Sequence, residues 1–87
     1  MRSPSNQLSE SVRFGSAVRN RRNALGLTQA QAAALAECDR LFVSEVERGK
    51  STVRLDKLLS LLGVLGLQLA LETGSGRLEV RANGEGS

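Results

Sequence analysis

Residues 26–50 read GLTQAQAAALAECDRLFVSEVERGK. Two short helical patterns lie almost end to end in this stretch, and only a tight turn fits between them. Thr28 is a good N-cap for the first, over about Gln29 to Ala36, and Asp39 for the second, over about Arg40 to Arg48. Gly49 stops the second. The first helix is rich in alanine, with Ala32, Ala33, Leu35 and Ala36 expected on its inner face. Small side chains there let another helix approach closely. Val43 and Val46, helped by Phe42, anchor the second and leave Arg40, Leu41, Ser44, Glu45 and Arg48 outward.

The pair needs support from the rest of the chain. A preceding helix is expected from about Ser11 to Leu25, with Phe14, Ala17, Val18, Arg22 and Leu25 on one face. Ser9 or Ser11 would cap its start, and Gly26 would supply a left-handed end. A fourth helix is expected from about Arg54 to Leu65, buried through Leu55, Leu58, Leu59, Leu62 and Leu65 and ended by Gly66. The period then changes to two. Leu67, Leu69 and Leu71 alternate with polar or small residues, Gly74-Ser75-Gly76 marks a turn, and Leu78 and Val80 alternate through a second strand beginning at Arg77. The fold class is therefore mainly α: four helices followed by a C-terminal strand or hairpin. Residues 1–10 read as a flexible N-terminal arm, 11–66 as the helical domain, 67–82 as the hairpin and 83–87 as a disordered tail.

Composition narrows the chemistry. The 87 residues suffice for one domain, and 40% are hydrophobic. A core of this size is marginal alone, which favours a dimer. Twelve Lys and Arg face nine Asp and Glu, for a net charge of +3 and a pI near 10.0. That balance permits nucleic-acid binding without proving it. Phe14 and Phe42 are the only aromatics, so base stacking is not the main mode of contact. With no histidine and one cysteine, a metal site would need carboxylates alone, and none cluster at suitable spacing. No cofactor is expected. Asp39 and Ser44 lack a general-base partner, and no histidine exists to activate Cys38, so no enzyme is expected. Cys38 cannot form an internal disulfide, which fits a reducing cytoplasm. The first residues carry no apolar run of the signal-peptide kind. The longest apolar stretch, residues 58–71, is interrupted and too short to span a bilayer, so no membrane association is expected.

Two short helices joined by a tight turn make a helix-turn-helix, whose second helix lies in the DNA major groove. The stretch resembles the Xre/phage-repressor family in detail. Arg19 and Arg22 match its R-x-x-R, and Gly26-Leu27-Thr28-Gln29 its G-L-T-Q. Phe42-Val43-Ser44 and Glu47-Arg48-Gly49-Lys50 match the later motifs. The resemblance covers about residues 12–66 and implies a four-helix, lambda-repressor-like domain. It departs at Glu37, where the family usually has glycine, and at Ala32, where it has leucine. If Glu37 is left-handed, the strain is about 1 kcal/mol.

The resemblance also implies roles. Thr28 and Gln29 would contact DNA phosphate at the start of their helix. Arg40 and Leu41 would face base edges, Arg40 suiting guanine and Leu41 a thymine methyl. Ser44 and Glu45 would follow one turn on. Arg48, Lys50, Ser51 and Arg54 would serve the backbone. Against this, Arg40 and Glu45 also read as an ordinary solvated helix pair, and Arg48 and Arg54 as general charge. Arg22 and Glu47 would form a structural ion pair rather than a catalytic one, and Cys38 takes an apolar core position.

The strand pattern L-G-L-x-L-x-L after the helices resembles, less specifically, the HipB-like antitoxin repressors. In that group two subunits share a small sheet, bind palindromic operators as a homodimer and pair with a HipA-like kinase toxin. The apolar face Leu67, Leu69, Leu71, Leu78 and Val80 would then form a dimer interface through an intersubunit sheet. It would otherwise fold back on its own helices. Two further readings stand: a stand-alone phage- or plasmid-type regulator, and a protein-interaction module without DNA affinity.

Overall fold

The computed structural model describes residues 4–71, 73–74 and 78–83. Among these, α1 (Pro4–Ala24), α2 (Gln29–Ala36), α3 (Arg40–Glu47) and α4 (Leu55–Val64) are followed by strands β1 (Leu67–Leu71) and β2 (Leu78–Ala82). Residues 1–3, 72, 75–77 and 84–87, which include the turn residues Ser75 and Gly76 and also Arg77, lie outside the described residues. So do the side chains of residues 4–9, among them the expected Ser9 cap, and those of Leu71 and Leu78.

α1 begins at Pro4, well ahead of the expected Ser11, so most of the expected N-terminal arm is helical. Proline suits the first helical position, where its missing N–H would lack a partner anyway. Residues 5–10 contain no breaker, but they also lack the apolar periodicity that marks a helix in sequence. At the other end Gly26 adopts φ +72°, and Leu27 N–H reaches back to the Arg22 carbonyl at 3.1 Å. The helix closes at Ala24, so Leu25 leaves the buried stripe and is 44% exposed.

α2 starts with a reciprocal capping box. Gln31 N–H donates to Thr28 Oγ1 and Thr28 N–H to Gln31 Oε1. Its inner face consists of Ala32, Ala33 and Ala36. Leu35, expected there, is 62% exposed. α2 packs against both α3 and α4, and its buried residues at that contact are the three alanines. Glu37 ends the helix at φ 58°, so this side chain does occupy a left-handed position.

In α3, Asp39 Oδ1 accepts from Phe42 N–H at 2.7 Å, and Val43, Val46 and Glu47 are buried. α4 turns differently from the expected stripe. Leu58, Leu61, Leu62 and Leu65 are buried, while Leu55 and Leu59 are exposed. With leucine at six positions from 55 to 65, two apolar stripes satisfy helical spacing. Packing against α2 and β1 selects the one that contains Leu61.

The strands pair antiparallel, with Leu67 opposite Ala82 and Leu69 opposite Val80. Leu67 is buried, and Leu69, Val80 and Ala82 pack partly against the helical core. Within one chain the hairpin therefore folds back on its own helices, the second arrangement the sequence left open. Asn83 N–H closes its base on the Gly66 carbonyl at 2.6 Å, and Arg21 Nε caps α4 through the Leu65 carbonyl at 2.8 Å. No helix among the described residues is long and apolar enough to cross a membrane.

Candidate nucleic-acid interface

The interface is built around a buried carboxylate. Glu47, on the inner side of α3, accepts from Arg22 Nε at 2.6 Å and Arg22 Nη2 at 3.0 Å. The Glu47 side chain is 1% exposed and that of Arg22 11%. Arg22 also donates from Nη1 to the Leu27 carbonyl at 2.8 Å. One guanidinium thus fixes α1, the loop before α2 and the end of α3. Burial works to raise the Glu47 pKa, but hydrogen bonds from Arg22 and Gln29 and the charges of Arg22 and Arg19 outweigh it. The carboxyl is held below its ordinary range. The Arg22 pKa is raised, chiefly by its hydrogen bond to Glu47. A pair between these two residues is what the family resemblance implied.

From this pair a chain of bonds leads outward to α3's first residue. Gln29 Nε2 donates to Glu47 Oε1 at 3.1 Å, and Gln29 Oε1 accepts from Arg40 Nη1 at 3.1 Å. The amide therefore has one fixed orientation, and it holds the exposed Arg40 guanidinium. Leu41 beside it is 60% exposed. One turn on, Ser44 and Glu45 are half-buried. Arg48 Nη1 donates to Ser44 Oγ at 2.9 Å, and Lys50 Nζ to Glu45 Oε2 at 3.3 Å. Thr28 is occupied as a cap, and Ser51 is exposed in the loop after α3.

Arg54 stands apart from this group. It lines a groove between the end of α2 and α4, with Leu35, Glu37, Lys57 and Val64, and its guanidinium is paired with Asp56 at 2.7 Å. That hydrogen bond is the main reason the Asp56 pKa is lowered. Cys38 is a free, half-buried thiol packed against the core, and burial raises its pKa. No group of residues suited to holding a metal ion is found among those described.

Sequence reasoning assigned no role to Gln31 or Gly15. The T-x-x-Q spacing from Thr28 was a visible capping signal. Nothing in the sequence marks Gly15, where α1 meets the Val46 and Glu47 carbonyls so closely that a Cβ has no room.

A capped pair of short helices, the second anchored through one face and open along the other, defines the class: a helix-turn-helix, DNA-binding transcription regulator. The helix-turn-helix domain family matches over residues 13–74, and the chain belongs to it. Among solved structures, the restriction-modification controller protein C.AhdI from Aeromonas hydrophila is similar. The two share 40% sequence identity over 67% of this chain and 84% of that one, with a TM-score of 0.61. No curated protein matches.

Proposed function

We propose that the chain is a sequence-specific transcriptional repressor that acts as a homodimer on a palindromic operator in its own promoter. The observation that carries this reading is the state of α3. Val43 and Val46 are buried, while Arg40 and Leu41 at its amino end are exposed, and Arg40 is held by Gln29. A fixed helix that presents a guanidinium and an apolar side chain suits guanine O6/N7 and a thymine methyl in the major groove. Gln29, Arg48, Lys50 and Ser51 supply groups for phosphates on either side. Two such helices in a dimer would enter successive grooves about one helical turn apart. Since Leu67, Leu69 and Val80 pack on their own core, an intersubunit sheet would form through a free strand edge rather than the apolar face.

Two kinds of operon fit. The strand pattern that follows the helices supports an antitoxin paired with a HipA-like kinase toxin. The 40% identity to a restriction-modification controller supports a controller of that kind. The genes beside this one discriminate between them.

The test is an anisotropy titration against the upstream DNA with excess random competitor at two salt concentrations. Saturable binding that survives competitor and weakens with salt is the expected result. Binding with no preference over random DNA refutes the repressor reading. Protein contacts without DNA affinity would identify an interaction module instead.

A further inference from the structure

Resting on that reading, we propose that Arg19 is a DNA-backbone contact that completes a phosphate site at the amino end of α2. Three observations meet there. First, the Glu47 carboxylate faces two guanidiniums, from Arg22 and Arg19. One negative charge against two positive ones leaves an excess of one positive charge. Second, Glu47 already accepts three close bonds without Arg19. Arg22 makes two close bonds to it and Gln29 a third. Arg19 Nε stands 3.7 Å from Oε1, beyond hydrogen-bond reach, and its side chain is 58% exposed. Third, the same Oε1 accepts from Gln29, the first residue of α2. Arg19 therefore shares an acceptor with the residue that opens α2, whose helix start also favours an anion.

The ordinary alternative is a surface ion pair that helps the fold. It accounts for part of the arrangement, since the Arg19 charge helps to hold the Glu47 carboxyl down, but Arg22 already neutralises Glu47 through two closer bonds. Of the other interface cations, Arg40 and Arg48 each commit one donor, to Gln29 and Ser44, and Lys50 is paired with Glu45. Arg19 makes no hydrogen bond among the described residues, so its donors are open to a ligand. The ligand chemistry is a phosphodiester, and the contact positions the duplex without reading its sequence.

The experiment compares the full chain with Arg19→Gln and Arg19→Lys. Each is titrated with the upstream duplex and with a random duplex over a range of salt concentrations, and each is melted. Arg19→Gln should weaken binding to both duplexes alike, by about tenfold at low salt, and lower the salt slope by about 1. Arg19→Lys should restore most of the slope, and all three proteins should melt together. Unchanged affinity and slope in a parent that binds DNA would overturn the proposal, as would a loss confined to the upstream duplex. A markedly lower melting temperature for Arg19→Gln would assign the residue to the fold instead. If the parent binds neither duplex, the DNA-binding function itself fails, and the assignment of Arg19 with it.

Discussion

Arg22 and Glu47 are joined by two hydrogen bonds across 25 positions of sequence, and both side chains are withdrawn from water. A buried pair of this kind is not strongly stabilising compared with two apolar residues, but breaking it is costly because one charge is left alone. Arg22→Met should therefore destabilise the fold by about 3–5 kcal/mol, read as a shift in the urea midpoint. Pairing it with Glu47→Leu should recover much of that loss. A double variant as unstable as the single one would show that the bond to the Leu27 carbonyl, rather than the ion pair, is what Arg22 supplies.

The same pair sets a pH dependence. Glu47 is lowered from an ordinary value of 4.5. A depressed carboxyl stabilises the fold fully above its unfolded value, and the stabilisation is lost as pH falls through the folded value. Stability should hold from neutral pH down to about 5 and fall below the ordinary carboxylate range. In Glu47→Gln this part of the acid loss is absent, so the two stability curves should converge as pH drops. Parallel curves would mean that another carboxylate governs the acid limb. The Arg54–Asp56 pair acts in the same direction, but both side chains are about two thirds exposed and solvent screens the pair.

What the sequence shows clearly is what local chemistry decides. Thr28, Asp39, Gly26, Gly49 and Gly66 mark the helix ends because capping bonds and left-handed turns need only near neighbours. The outward face of α3 is legible for a related reason, since Val43 and Val46 are its evident anchors. The rotation of α4 is not legible. Leucine surrounds much of that helix, and only packing distinguishes Leu61 from Leu59. Nor is the bridge from Glu47 through Gln29 to Arg40, which joins three elements and depends on side-chain orientations set in the folded state. The ion pair was expected only because a family resemblance pointed to it.

Gly15 sets two effects against each other. In an exposed helix, alanine would be better than glycine by about 1 kcal/mol. Here an added Cβ would meet the Val46 and Glu47 carbonyl oxygens, which belong to backbone and cannot swing aside. Overpacking of this kind costs about 1–3 kcal/mol or more, so the steric effect wins. Gly15→Ala should lower the melting temperature and shift α1 away from α3. Because α1 carries Arg22, DNA affinity should fall with stability. An unchanged melting temperature would show that α1 approaches α3 less closely than the structure indicates.

Glu37 provides the opposite case. Its left-handed backbone is unfavourable for a side-chain-bearing residue by about 1–2 kcal/mol, and glycine would relieve it. Glycine also loses more entropy on folding, by roughly 0.5–1 kcal/mol. The side chain is exposed and makes no hydrogen bond to the recognition helix. Glu37→Gly should therefore stabilise the domain by about 0.5–1 kcal/mol, visible in thermal melting, with DNA affinity unchanged. A destabilised variant would place the balance on the entropy side.

Arg40 separates base reading from backbone contact. It is exposed at the start of α3 and held by Gln29, which in turn is held by buried Glu47. A guanidinium fixed in this way loses little freedom on meeting a guanine edge. Arg40→Ala should weaken binding to the operator by about 1–3 kcal/mol and relax preference at one base pair, with a much smaller loss on random duplex. Competition among operators varied one position at a time is the direct measurement. The pattern should be the converse of that for Arg19→Gln, where both duplexes lose alike. If Arg40→Ala also weakens both equally and leaves every base preference intact, Arg40 contacts the backbone, and the specificity of α3 must come from Leu41, Ser44 and Glu45.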